Sequence, residues 1–249
     1  MKIGASTLAG ITDRLEDNLE FIENLGLDYA EIVHQFPHEE VDTDSLQSYD
    51  LKYSVHSPFM DVNIAAVQKK SRINSINQIK ESIDLANEIN AEAVVVHPGL
   101  APFLANKYFL NRVYEFANES IKELGEYGDD LGVLTTIENM PTFDGMIYQN
   151  LNDLNELLVS LDMSMTLDIG HANHAGYAPD GMIFDSIKHI HMHDNFGDDD
   201  AHLAFGEGSI DLKSIVNKLE EKNYDGIYII EVNDHDSIKK SYEYIKRNF

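Results

Sequence analysis

Short runs rich in β-branched residues alternate along this chain with longer stretches in which apolar positions recur every three or four residues. The short runs are KIGAST (2–7), DYAEIV (28–33), KYSVHS (52–57), AVVVHP (93–98), VLTTIEN (133–139), SMTLDI (164–169), HIHMHD (189–194) and IYIIEV (227–232). Each reads as a strand bounded by turn residues or charges. Between them, SRINSINQIKESIDLANEIN sets Ile73, Ile76, Ile79, Ile83, Leu85 and Ile89 largely on one helical face with charges opposite. NRVYEFANESIKELGEYG and DLKSIVNKLEEKN follow the same rule. Eight strands, each followed by a helix or long loop, in 249 residues predict an α/β chain of the (β/α)8 TIM-barrel type. No linker, low-complexity tract or break in composition divides it, so residues 1–249 are expected to form a single TIM-barrel domain. An open doubly wound sheet is the other arrangement considered. It has little support, because no Gly-x-Gly-x-x-Gly follows the first strand.

The polar positions carry the chemistry. The last six predicted strands each end near a side chain able to bind metal: His56, His97, Glu138, Asp168, His191 and Glu231. Strand side chains alternate between two faces. Thr166 and Asp168 therefore oppose Met165, Leu167 and Ile169. His189, His191 and His193 oppose Ile190 and Met192, and Glu231 shares a face with Ile229. With the apolar face packed on helices, the polar set points into the barrel mouth at the C-terminal ends of the strands, where barrel enzymes keep their active sites. One such residue is ordinarily a cap or loop contact; six in consecutive strands predict a metal site. Mixed imidazole and carboxylate donors without thiolate suit zinc, manganese, iron or cobalt. Calcium and magnesium prefer more oxygen. The expected cofactor is a divalent metal, zinc or manganese, as one to three ions.

Composition sharpens this picture in one respect. The chain carries 44 Asp and Glu against 18 Lys and Arg, a formal charge of −26. Such a surface repels nucleic acid and anionic membranes at long range, and phosphate binding depends on Lys and Arg. Nucleic acid is an unfavoured partner, though not an excluded one. No apolar run approaches the roughly 18 residues of a membrane span. The opening MKIGASTLAGI lacks the pattern of a secretory leader, and there is no Cys, so a cytoplasmic location is expected. Oligomeric state is left open.

Loop residues extend the candidate site. His171 follows Asp168 by three, and Asp200 and His202 form an Asp-x-His pair beside the turn GEG. With His171 this pair could form a further metal position, or the three could be solvated loop side chains. His34 and His235 are equally readable as substrate contacts or solvated residues. His38, His174 and His193 are assigned to supporting or exposed positions, and Phe59, Phe103, Phe143 and Phe196 to the mouth loops. Those loops contain one basic residue, Lys107. The densest basic patch, Lys69, Lys70 and Arg72, reads as a solvated face.

The ordered motifs VHSPF, VVVHPG, IEN, LDIGHANHAGY, HIHMHDN, DAHLAFGEG and IIEVN resemble those of the xylose isomerase-like barrel superfamily, from about residue 50 to 235. That group includes sugar isomerases and epimerases and endonuclease IV (AP endonuclease family 2). Resemblance to endonuclease IV implies that His56, His97, Glu138, Asp168, His171, His191, Asp200, His202 and Glu231 occupy nine metal-ligand positions, with Glu138 bridging. Resemblance to the epimerases implies one divalent ion on Glu138, Asp168, His191 and Glu231. There Glu138 and Glu231 also exchange protons with the substrate, and His171 contacts a hydroxyl.

Two chemistries follow. In the first, a metal chelates a sugar or sugar-phosphate carbonyl and a neighbouring hydroxyl, and paired Glu move the acidified proton. In the second, two or three ions hydrolyse a phosphodiester at an abasic site. The full ligand set favours the second. The charge, the lack of basic mouth residues, and HPGLAPF, which lacks the further His usual in the nuclease, favour the first. The expectation is an isomerase or epimerase acting on a small sugar, with an AP endonuclease as the alternative. A non-catalytic binding barrel ranks third.

Overall fold

The computed structural model describes residues 1–249. Eight parallel strands close into a barrel in sequence order: β1 (Lys2–Ser6), β2 (Tyr29–Val33), β3 (Lys52–His56), β4 (Val94–Val96), β5 (Thr135–Glu138), β6 (Ser164–Asp168), β7 (Ile187–Met192) and β8 (Ile227–Ile230). Eight helices surround or cap it: α1 (Leu15–Leu25), α2 (Thr43–Leu46), α3 (Lys69–Glu88), α4 (Phe103–Leu131), α5 (Leu151–Leu161), α6 (Ile169–His174), α7 (Leu212–Glu221) and α8 (His235–Asn248). The expected (β/α)8 architecture is thus observed. No helix is long and apolar enough to cross a membrane.

The apolar helical stripes are buried as their spacing predicts. In α3, Ile76, Ile79, Ile83, Leu85 and Ala86 pack inward, while Ile73 at the first turn is 44% exposed. Local signals set the helix ends. Asn150, Asp211 and Asp234 accept hydrogen bonds from first-turn amides of α5, α7 and α8. Gly26 and Gly132 close α1 and α4 in the left-handed conformation. Several strand ends move by one or two residues, and two boundaries bear on the site. The seventh strand begins at Ile187 rather than 189 and ends at Met192. The stretch 103–107, read as the end of a mouth loop, is the first part of α4, which continues across a kink at Phe109. Lys107 therefore lies on a helix and not in a loop.

Inside the barrel the side chains form layers. At the N-terminal end Tyr29, Ile227 and Ile229 make a small apolar plug. Gly4 admits it, since a Cβ there would lie 2.7 Å from Tyr29 Cβ and 2.8 Å from Ile229 Cδ1. Above the plug sit Glu31, Ser54, Thr136, Thr166 and His189, all buried, with Glu31 in register with Ser54 and Thr136 hydrogen-bonded to Thr166 (2.7 Å). The mouth layer holds His56, Glu138 and Asp168 at their strand ends, His191 in register with Asp168, and Glu231 just beyond β8.

Candidate metal centre

Each mouth side chain is delivered by an identifiable local device. Asn139, following β5, clamps the end of β6: its Oδ1 accepts from the Asp168 amide (2.8 Å) and its Nδ2 donates to the Asp168 carbonyl (3.0 Å). Asp168 then caps α6, its Oδ1 accepting from the His171 amide at 2.6 Å. The cap places His171 over the mouth. The loop after β7 is folded back by Asp194, whose carboxylate accepts from the amides of Asn195, Gly206 and Ile210. An isolated bridge joins Asp194 to Leu203. Asn233 donates to the Ala201 carbonyl (2.8 Å). These bonds bring Asp200 and His202 to the mouth, with His202 held at φ +45°, a left-handed backbone that side chains with a Cβ seldom adopt.

All nine predicted residues converge. Glu138, Asp168, His191 and Glu231 place ligand atoms within 4.8 Å of one another, as do His56, His97 and Glu138, and as do His171, Asp200 and His202 together with His193. Glu138 belongs to the first two groups. Its Oε2 lies 3.4 Å from His56 Nε2 and 3.0 Å from His97 Nε2, and its Oε1 lies 3.0 Å from His191 Nδ1. His191 Nδ1 is also 3.1 Å from Glu231 Oε2. Asp200 faces His171 Nε2 at 3.2 Å, His193 Nε2 at 3.2 Å and His202 Nε2 at 3.4 Å.

The donor set fits divalent cations. Metal–ligand bonds of about 2.1 Å put neighbouring donors about 3.4 Å apart in a tetrahedron and about 3.0 Å apart in an octahedron, the range just given. Several of these close pairs are not aligned as hydrogen bonds. Glu138 Oε2, Asp168 Oδ2, His193 Nε2 and Asp200 Oδ1 are buried with no hydrogen-bond partner, an arrangement costly for a purely structural cluster. The imidazoles are also pre-oriented. The Nδ1 atoms of His56, His171 and His202 donate to the carbonyls of Ser57, Asn139 and Glu231 at 2.8, 2.8 and 2.9 Å, which leaves each Nε2 lone pair facing the cluster.

Electrostatics in the cation-free chain follow from five carboxylates crowded with imidazoles. Burial pushes the Glu138 carboxyl up, but the charge and hydrogen bond of His191, with the imidazoles of His56 and His97 close by, outweigh it and hold it well below the carboxylate range. Burial pushes His191 down, yet Glu231, Glu31 and Glu138 hold it well above the usual imidazole value. His171 is pushed up to about 10, where Asp168, Asp200 and Glu138 overcome its burial. Protons thus balance the acidic site, and a bound cation would displace them.

The centre opens into a cavity of 340 Å³ walled by Leu8, Phe59, Val62, Leu100, Met140, Pro141, Phe143 and Met146. No Lys or Arg lines it. Of the four aromatic residues assigned to the mouth loops, Phe59 and Phe143 line the cavity, while Phe103 and Phe196 are more than 60% exposed and do not. Neither His34 nor His235 reaches the centre: His34 bonds Ser82 and the Glu39 carbonyl, and His235 bonds Asn18. His38 is buried against the Asp13 carbonyl, and His174 packs edge-on to Phe143.

The sequence reading left one member of the cluster open and overlooked another. His193, assigned to a supporting or exposed position, is fully buried and points Nε2 at Asp168 and Asp200. Glu31 was not singled out, although it lies fully buried 2.9 Å from His191 Nε2. Alternation in DYAEIV, which sets Tyr29, Glu31 and Val33 on one face, is the signal that points to it.

Known proteins place this geometry in a family. An uncharacterised protein of Methanocaldococcus jannaschii is 33% identical over 260 residues, covering 99% of this chain and 88% of that protein. A solved structure described as a D-tagatose 3-epimerase-like protein superposes with a TM-score of 0.92 at 32% identity, covering 100% of this chain and 97% of its own. Both branches of the superfamily recur at lower identity. A fructoselysine 3-epimerase of Shigella flexneri is 25% identical over 177 residues (68% of this chain, 63% of that enzyme). A probable endonuclease 4 of Halothermothrix orenii is 28% identical over 185 residues (66% and 64%). The model of the xylose isomerase-like TIM barrel family matches residues 19–248, and the chain belongs to that family.

Proposed function

We propose that the protein is a divalent-metal-dependent epimerase or isomerase of a small, unphosphorylated sugar. The observation that carries this reading is the pairing of Glu138 and Glu231 on one atom, His191 Nδ1, at 3.0 and 3.1 Å, on the floor of a cavity without Lys or Arg. Glu138, Asp168, His191 and Glu231 would hold the ion, zinc or manganese. Bound there, a divalent cation polarises a substrate carbonyl and acidifies the adjacent C–H. One of Glu138 and Glu231 accepts that proton as the C–H electron pair moves toward the carbonyl carbon, and the other returns a proton to the same carbon from the opposite side, inverting it. His171 contacts a hydroxyl. Phe59, Met140, Pro141 and Phe143 limit water around the reacting carbon. The epimerase relatives support this class of chemistry.

A second reading, phosphodiester hydrolysis, is favoured by one observation: the complete set of three ligand groups, including His171, Asp200 and His202. The cavity lining offers no Lys or Arg to hold a nucleic-acid backbone. Metal-reconstituted protein incubated in D2O with a panel of neutral ketoses, and separately with an abasic-site duplex, distinguishes the two. Deuterium at the carbon beside the carbonyl, with the duplex intact, is expected. Duplex cleavage with silent ketoses would reverse the assignment.

A further inference from the structure

His191 is oriented differently from its neighbours in the cluster. His56, His171 and His202 set Nδ1 on a main-chain carbonyl and turn Nε2 to the mouth. His191 turns Nδ1 to the mouth, toward Glu138 and Glu231. Its Nε2 points down the barrel axis, where strand geometry supplies no free carbonyl, because main-chain carbonyls there are committed to the ladder. What meets it is the carboxylate of Glu31, with Oε1 at 2.9 Å from Nε2, a close charge contact that is not aligned as a hydrogen bond and leaves both atoms without another partner. The other oxygen of Glu31 is fixed from two sides: Oε2 accepts from Ser54 Oγ at 2.9 Å and from His189 Nε2 at 2.8 Å. Glu31, Ser54 and His189 are buried in the layer under the mouth, directly below His191. A carboxylate needed only to fill this layer would be satisfied by Ser54 and His189 on Oε2. Its second oxygen is instead directed at the imidazole that Glu138 and Glu231 share.

We propose that Glu31 is a positioning residue for the metal centre. Its negative charge against Nε2 favours the Nε2–H tautomer of His191, presents the Nδ1 lone pair to the cation, and strengthens that donor. Ser54 and His189 in turn fix the carboxylate. The inference rests on the metal reading of the site given above, and adds to it a residue from β2, a strand that contributes no ligand.

The test uses the full-length protein and the metal ion alone. Zinc affinity is measured by competition with a chromophoric chelator for the wild type and Glu31→Gln, and imidazole tautomers are assigned by long-range 1H–15N correlation. Wild type is expected to bind zinc with one histidine in the Nε2–H form, ligated through Nδ1. Glu31→Gln is expected to bind the tightest ion roughly 10–100-fold more weakly and to lose that tautomer signature. Should Glu31→Gln not fold, Ser54→Ala keeps the carboxylate but frees one of its fixed contacts, and weaker zinc binding is expected of it too. A Glu31→Gln protein with wild-type zinc affinity and only a lowered unfolding temperature overturns the inference and leaves the metal centre standing, and so does an unchanged Ser54→Ala if that variant alone folds. A wild type that binds no zinc or manganese overturns the metal reading, and this inference with it.

Discussion

The imidazole of His193 lies flat against that of His202, with ring centroids 3.9 Å apart and planes 13° apart. Both rings direct Nε2 at Asp200, one to each carboxylate oxygen. A residue just past a strand and a residue in a folded-back loop are thereby joined to His171 through one acid. This group shares no residue with the four that would hold the proposed catalytic ion, although His193 Nε2 lies 3.3 Å from Asp168, and its loss is expected to be separable from theirs.

Asp200→Ala should therefore remove one ion per chain and leave the remaining content and the far-ultraviolet circular dichroism unchanged. Elemental analysis of protein reconstituted with excess zinc and then desalted checks this. Equal metal content in variant and wild type would dismiss the group as a cation site.

Gly170 carries the same group from below. A Cβ at this position would fall 1.9 Å from His193 Cε1, so Gly170→Ala must displace the ring. A stability loss of about 1–3 kcal/mol is expected for overpacking of this kind, together with the metal loss seen for Asp200→Ala. Urea unfolding and elemental analysis on one sample provide both readings, and a variant of wild-type stability would contradict the packing described.

Glu138→Gln tests the shared carboxylate. The amide cannot serve as an anionic ligand to both His56–His97 and His191–Glu231 groups, nor as a base. Turnover should fall by about 10²–10⁴-fold with the barrel intact by circular dichroism. Turnover at the wild-type rate would remove Glu138 from the chemistry.

Cation-free protein should lose stability as pH rises above neutrality. His171 and His191 have folded-state values above the unfolded value, His171 at about 10. Their contribution is complete below the unfolded value near 6.5 and is lost as pH rises through the folded values. Unfolding temperatures of chelator-treated protein measured from pH 6 to pH 10 should decline. Zinc-loaded protein should lack this decline, because the cation keeps the imidazoles neutral throughout. A flat profile without metal would contradict the charge arrangement described.

Much of this site could be read before the fold was known, and the exceptions have physical causes. His56, Glu138 and Asp168 end their strands, and His191 sits one residue before its strand ends, so alternation alone aims them at the mouth. Alternation also sets His193 on the face of His191, but it lies past the last β7 residue, and its burial depends on a loop the pattern does not describe. Its partner Asp200 arrives only through the Asp194 turn. Glu31 is the reverse case: the period holds, but its partners Ser54, His189 and His191 come from strands far away in the sequence, and nothing local distinguishes it from an edge carboxylate. The start of α4 was hidden by Pro102 and by apolar Phe103, Leu104 and Phe109, which remain exposed and so break the helical burial pattern.

Deuterium incorporation beside the carbonyl of a neutral ketose, followed by proton NMR with zinc- or manganese-loaded protein, addresses the central claim most directly. Exchange that requires the metal, accompanies epimer formation and disappears in Glu138→Gln is the predicted result. No exchange with any ketose, together with metal-dependent cleavage of an abasic-site duplex, would contradict it.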